Sequence, residues 1–599
     1  MPFSKSPDDS LQLVTSFDAK VGGKSLPKDI VVMKILVKSE VNKIAKAYLS
    51  IVAGKSYENL FPESEIASFA PGKTLDISLG YAEKNVKVFS GIITKHSIDI
   101  GLDYLSYASR SILLLEASDK AIKMTVGKKS ELYEKKKDSV IMTTLLSSAG
   151  LTKKVATTTV THDVIARHNC SDWEFLLNRA KANGMVVFNS LGAVDVEVPT
   201  ASGMEKLSVT YGKDIKTFRA DLDASSQLQQ VEAINYDIYE EKEVKQTGKD
   251  SKFDKPGNIT GAVLGKVVAA SKVSVNVPVP VLTQELKGFA DAALSASRLR
   301  RMVGEVSFRG STLVTLGDLI KLNGFGKLFN GLVYITEVEH RVENGQFTTK
   351  VSFGLKPGLF KSSNPSEMNL LPPMAGLHVG IVKKLDADPS KKNRIQVMIP
   401  SLKSTGNGIW AMLGHFHAGK NSGSFFVPEL NSEVIVGFIN DDPRFPVVLG
   451  SLYSKKNTTK EKFTKDNFIK SIVTKGGSRL EFDDKDKTFK VITPKKNMIF
   501  ISDKAKGVKI EDQNKNVIST SDKGVTITSK KDIKLTASGK LELKGTKGVV
   551  LNSSAGDAKI DGKNVKINAK LKADVNGKAG VNVKASAAVN IKGAMVNVN

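Results

Sequence analysis

Near the end of the chain, apolar residues come in pairs two positions apart, and the pairs recur every eight residues: Val525/Ile527, Ile533/Leu535, Leu541/Leu543, Val549/Leu551, Val565/Ile567, Val581/Val583 and Val589/Ile591. Two octads slip, with Ala558/Ile560 carrying the apolar pattern where Asp557/Lys559 occupy the slots, and Ala573/Val575 is weaker. Spacing of two puts both members of a pair on one face of a strand, and Gly539, Gly545, Gly548 and Gly577 supply corners. A strand with two inward residues has no core of its own until copies stack, so a fixed short period means a solenoid, and three such sides close a triangular prism. Period alone leaves open whether one chain winds all three sides or three chains supply one each. About nine octads would give a single chain only about three coils, whereas three intertwined chains make a long column. The expectation is an intertwined triangular β-helix in a homotrimer, with these fourteen paired residues as its core. A disordered basic tail would lack the register.

At 599 residues the chain exceeds what one hydrophobic core organises. Aromatic residues make up only 7% and glycines number 48, a balance that suits extended β architecture. No stretch approaches 18 uninterrupted apolar residues, and MPFSKSPDDS lacks the apolar segment of a secretory signal, so the expected place of synthesis and assembly is the cytoplasm. Cys170 is the sole cysteine, which excludes an intrachain disulfide, a cysteine-based zinc knuckle and a redox pair.

The net charge of +26 raises the question of a polyanion partner. The cations are 76 Lys against 12 Arg, whereas bidentate phosphate and guanine contacts favour Arg. From residue 455 onward, 32 Lys plus Arg stand against 15 Asp plus Glu, spread along the repeat rather than gathered in a patch. They read as solvated lysines that keep strand edges from associating, and nucleic acid is not the expected partner.

Between Gly376 and Tyr453 five short alternating strands (HVGIVKKL, NRIQVMIP, IWAML, SEVIVGFI, FPVVLGSLY) are separated by Gly, Pro and Asn-rich turns, which predicts a small OB-type barrel. Phe425 and Phe426 read as core or trimer contacts rather than a base-stacking platform. His415 and His417 would share one face of a strand, but no cysteine lies near and further ligands would have to come from elsewhere, so no metal site is assigned. The segment GIVKKLDADPSKKNRIQVMIP followed by IWAMLGHFHAGKNSGSFFVPELNSEVIVGFINDDPRFPVVLGSLY resembles the spike core of the VgrG family, which is similar to the hub and spike of contractile phage tails.

The first 370 residues read as mixed β structure with a few helices. SFAPGKTLDISLGYAEKNVKVFSGIITKHSIDI alternates in strand period. Helices are predicted at Ser139 to Ala149, at Ser171 to Ala182 behind the capping box Ser171/Glu174, and near Thr283 to Met302, where Leu286, Phe289, Ala290 and Ala293 share one side and Arg298, Arg300 and Arg301 suit the helix dipole. RHNCSDWEFLLNRAKANGMVVF, LFNGLVYITEVEHRVENGQFTTKVSFG and the FAPG, GY and FSG pattern resemble the hub domain of the same family, and this resemblance implies two related barrel-like subdomains per chain, presenting about six-fold symmetry to a tail tube.

The expected division is a hub over 1–370, an OB barrel over 371–455, a linker over 456–468, lead-in strands over 469–524 and the octad prism over 525–599. The short linker leaves no room for a lysozyme between barrel and prism, and GxSxG, HExxH, Walker and GxGxxG motifs in a convincing setting are absent. Asp441/Asp442 and Asp483/Asp484 read as turn residues. The resemblance therefore implies a non-enzymatic, cofactor-free, trimeric spike of a contractile injection apparatus such as type VI secretion. Its partners would be an Hcp-like tube protein at the hub, baseplate proteins, effector cargo and, in passing, a target membrane. An open prism end would expose strand edges, so a PAAR-like tip protein is expected at Ala594, Met595, Val596, Asn597, Val598 and Asn599. Rival readings are the hub of a phage or extracellular phage-like particle, a β-helical polysaccharide-degrading tailspike, and a nucleic-acid-binding trimer.

Overall fold

The computed structural model describes residues 5–598 except 8–13, 56–57, 59, 104–107, 202, 252, 254–255, 269–271, 357–370, 404–405 and 407. It divides into two compact units, Met1–Thr459 and Lys460–Asn599. No helix among the described residues is long and apolar enough to cross a membrane.

Strict alternation builds the hub. In Lys46–Val52, Ala47, Leu49 and Ile51 are buried while their neighbours are not. The same period shapes Val32–Glu40, Thr74–Tyr81 and Ala108–Asp119, and one core gathers Ile35, Val37, Leu49, Leu75, Ile77, Phe89, Leu113 and Leu115. A second core, with Val306, Phe308, Ile320, Leu322, Val333, Ile335 and Val351, belongs to strands between residues 207 and 353. Both sets lie in one thirteen-stranded sheet, joined where Gly331–Glu343 runs antiparallel to Val32–Glu40 with Val342 opposite Ile35. The two halves thus share a hydrogen-bonded seam, and Val342 and Phe347 of the second half are buried in the first half's core. Gly91, in the FSG motif, lies against the backbone of Ser118, and a Cβ there would collide with it.

From this sheet an antiparallel ribbon, Lys129–Lys137 with Thr161–Cys170, leads into two helices. Helix α1 (Asp138–Ser148) and helix α2 (Asp172–Ala182) bury Ile141, Met142, Leu146, Trp173, Phe175 and Leu176 in a third core. The α2 capping box forms: the Glu174 N–H donates to Ser171 Oγ at 3.2 Å and the Ser171 N–H donates to Glu174 Oε2 at 2.7 Å. Helices α3 (Gly261–Val267) and α4 (Thr283–Leu299) follow, and α4 buries Leu286, Phe289 and Ala290 with Ala293 partly covered. Its basic end is not simply a dipole counter-charge. Arg298 is buried and donates to Asp250 and to the Leu228 carbonyl, and Arg301, also buried, donates to the carbonyls of Ile259 and Pro256. Both guanidiniums pin loops whose carbonyls would otherwise be buried without a partner.

The barrel closes in the order His378–Lys384, Ile395–Met398, Ile409–Leu413, Pro446–Ser451, Glu433–Phe438. These are the five strands predicted from alternation. Val382, Ile395, Val397, Ile409, Ala411, Val434, Val436 and Val448 fill it, and Gly380 is obligatory because a Cβ would run into the Val397 side chain. The ribbon contributes to the same core: Ala166 is buried in it, with Leu132 and Val164 packed alongside.

The second unit starts as a seven-stranded antiparallel meander from Ile469–Val473 to Gly524–Thr528, each strand five residues long. Turns such as Asp483-Asp484 fulfil the turn reading, since Asp483 accepts from the N–H groups of Lys485 and Asp486. From 529 to 598 the single chain carries no assigned strand. The expectation of one short strand per octad is therefore met only up to Thr528 within one chain; a ladder needs a neighbour, and one chain supplies none to these residues.

Candidate assembly surfaces

In the meander, cross-strand register aligns two apolar columns on one face. The first runs Ile472, Leu480, Val491, Ile499, Ile510, Ile518, Ile527, and the second includes Phe482, Phe489, Ile501, Val508 and Val525. Most of these side chains are exposed, Ile472, Phe482, Ile499, Ile510 and Ile518 among them. The opposite face mixes apolar residues, Ile492, Met498, Phe500 and Val517 among them, with ion pairs of Glu511 with Lys509 and Lys515 and of Arg479 with Glu481 and Glu461. The face with the two continuous apolar columns is thus the one turned to solvent.

The octads continue the same condition. Val525, Ile527, Ile533, Leu535, Leu541, Leu543, Val549, Leu551, Val565, Ile567, Val581, Val583, Val589 and Ile591 are all exposed in the single chain. None of these predicted core residues joins an intrachain core, and only Val525 and Ile527 lie in a paired strand. Of the predicted tip residues, Ala594 to Val598 are exposed and Asn599 lies outside the described residues. The lead-in strands carry the same two-column pattern as the octads, a signal present in their alternation that the octad reading left out.

A second feature was missed altogether. Arg179 donates to both oxygens of Asp138 at 2.7 and 2.9 Å, and Asn183 adds a bond of 2.8 Å. His162 Nε2 is 3.1 Å from Asp138, its Nδ1 3.8 Å from Glu285, and Glu285 accepts from Arg444 at 2.7 Å. Arg444 also donates to both oxygens of Asp442, at 2.8 and 3.0 Å. The six ionisable side chains are buried, and they run from α1 and α2 through the ribbon and α4 into the barrel. Burial works against ionising Asp138, but the Arg179 charge and the hydrogen bonds from His162 and Arg179 outweigh it and hold the carboxyl well below the usual range. Burial opposes charging Arg444 too, and Asp442 and Glu285 reverse that, raising its affinity for the proton. Asp442 is therefore more than the turn residue it resembles in sequence: it closes a buried ion chain that locks barrel to hub.

Beside this chain lies a cleft of about 220 Å³ with Tyr239, Trp410, Lys392 and Arg394 on its walls. Lys392 Nζ sits 4.0 Å over the Tyr239 ring, and Arg394 is held by both oxygens of Asp388. Lys392 and Arg394 are thus engaged with Tyr239 and Asp388, which describes a polar seam between subdomains. Among the described residues no group of three His, Cys, Asp or Glu is placed to hold a metal ion. His415 and His417 flank a bend after the strand ends at Leu413, so the shared strand face expected of them does not form. Phe425 and Phe426 are exposed, which removes the core reading and leaves the contact reading.

Comparison with known proteins agrees with this architecture. Residues 11–344 match the family described as the Alg8 N-terminal domain, and residues 378–453 match the type VI secretion system/phage-baseplate injector OB domain. The type VI secretion system spike protein VgrG1a of Pseudomonas aeruginosa is 31% identical over 81 residues, 13% of this chain and 13% of that protein. The match thus spans about an eighth of the length of that curated relative. The half-lidded Francisella PdpA-VgrG complex has a chain with a TM-score of 0.50 at 10% identity, covering 86% of this chain and 88% of that one. Its lidded form gives 0.50 at 11%, covering 87% and 82%. The chain belongs to the Alg8 N-terminal domain family, whose match takes in more than half of it, and its barrel matches the injector OB domain over residues 378–453.

Proposed function

We propose that the chain is the structural, trimeric spike of a contractile injection apparatus, joining a tail tube at the hub to a membrane-piercing needle. The observation that carries this is the apolar face of the meander, aligned in cross-strand register, and the fourteen octad residues that share one sequence period, exposed in the single chain. Three chains that each lend one side per level would bury that face and pair every strand edge except those at the two ends, giving a stiff column from a lysine-rich, aromatic-poor segment. The hub would meet an Hcp-like tube protein and baseplate proteins, Ala594 to Asn599 a PAAR-like tip, and the spike would carry effector cargo. The Francisella neighbour is described as a complex of VgrG with PdpA, which supports a spike that travels with another protein. In this reading the protein is not an enzyme, needs no cofactor, assembles in the cytoplasm and is then ejected from the cell.

Mass photometry of the full chain tests the proposal: a species near three times 64.6 kDa is expected. A chain found only at 64.6 kDa at micromolar concentration would overturn it.

A further inference from the structure

Between the barrel strands Ile409–Leu413 and Glu433–Phe438 the chain makes an excursion whose feet are tied to the barrel at both ends. The Gly414 N–H donates to the Val448 carbonyl at 2.9 Å, the Asn431 N–H donates to the Val382 carbonyl at 2.9 Å, and the Val382 N–H donates to the Ser432 carbonyl at 3.1 Å. Inside it, Ala418–Gly419 pairs with Ser422–Gly423 around Asn421, whose φ of 57° suits the tight turn. Val427 packs against the barrel core and anchors the excursion. Its other large apolar residues point to solvent: Phe416 is 89%, Phe425 86% and Phe426 60% exposed. Three phenyl rings displayed within eleven positions, on a loop fastened at both feet, form a preorganised aromatic knob.

The same barrel carries a second apolar patch of different shape. Leu377, Val379 and Leu449 are exposed on its outer wall. Between two of them lies Gly437, and a Cβ there would sit 3.5 Å from Leu449 Cδ1 and 3.7 Å from Leu377 Cδ2. Because that Cβ is missing, the wall has a shallow seat floored by backbone and rimmed by leucines.

We propose that the aromatic knob of one barrel sits on the leucine seat of the next copy's barrel, a head-to-tail contact that closes after three. This rests on the trimer reading above. The occupant is a second copy for two reasons. Knob and seat are unlike, and unlike patches on one molecule make heterologous contacts, which close into a ring when the rotation allows. Residues 452–468 are also all that separates the last barrel strand from the first strand of the meander, a tether that reaches at most about 60 Å. Chains intertwined beyond that tether hold their barrels at high effective concentration, so even a small knob-and-seat contact would be populated.

The test is cysteine cross-linking in the full-length chain, read beside mass photometry. Phe425→Cys combined with Leu449→Cys should, under mild oxidation, give a covalent ladder ending at three chains, while either substitution alone gives no more than the unaltered protein. Native Cys170 is buried. A three-chain species without a ladder would overturn the seating and leave the trimer standing; a ladder from Phe425→Cys alone would overturn it too, because that would put like residues together. A monomeric chain would sink the trimer reading and this inference with it. Should the cysteine pair fail to fold, a photo-reactive benzoylphenylalanine at position 425 in a mixture of isotope-labelled and unlabelled chains keeps the question decidable. Interchain products at 377–379 or 449 are expected, and products confined to one chain or to other positions would refute the contact.

Discussion

Arg444 is the residue on which the junction of hub and barrel turns. Arg444→Ala would strand Glu285 and Asp442 as buried, unpaired carboxylates, and breaking such a pair costs about 3–5 kcal/mol. The expected result is a clear drop in the thermal midpoint of the first unit, read by calorimetry, with the mass of the assembly unchanged. His340 makes a different prediction. It is buried against Thr349, whose hydroxyl donates to the Ser311 carbonyl, so the 3.0 Å contact has the imidazole Nδ1–H donating to Thr349 Oγ1 in a neutral ring. Burial pushes its pKa from 6.5 down to about 4. Between those values the unfolded chain binds the proton and the folded chain does not, so stability falls as pH drops from 6.5 toward 4. His340→Gln should flatten the plot of unfolding midpoint against pH across that window. An unchanged slope would remove His340 as its source. Glu337 acts at lower pH: burial opposes its ionisation, but bonds from Lys356 and Lys38 bring its pKa down to about 2. Its contribution is present above about 4.5 and lost as pH falls toward 2.

At the scale of elements, the meander is the informative piece. Ile499 and Ile510 are cross-strand partners on the exposed apolar face. Ile499→Asp with Ile510→Asp would put two carboxylates where three chains are proposed to meet, and should yield monomers by mass photometry while the first unit keeps its thermal transition. Trimers of undiminished stability would argue against that face as the interface. The barrel strands and the helices α1, α2 and α4 were legible to within a few residues, because each is written in a local period or a local cap. The α2 capping box spans four residues and needs nothing beyond them. The unified hub sheet was not legible, since its seam joins residues 34–40 to residues 337–343, and no local pattern records which strand pairs with which across such a distance.

For the whole molecule, the lysine excess becomes a question about association. If the lysines serve to keep prisms apart, DNA affinity at physiological salt should not exceed that of a charge-matched control protein, and replacing a set of outward lysines by glutamine should promote lateral aggregation without dissolving the trimer. Preferential DNA binding would restore the nucleic-acid reading. The sequence by itself determined the period of the repeat, the five barrel strands and the capped helices, because alternation, glycine corners and capping residues act over a few positions. Only the tertiary structure decided that Asp138, His162, Arg179, Glu285, Asp442 and Arg444 form one buried ion chain, and that the apolar columns of the second unit find no cover within their own chain. The physical reason is the same in both cases: burial and charge pairing are properties of surfaces brought together from distant parts of a chain, or from different chains, and a local pattern carries only one side of each.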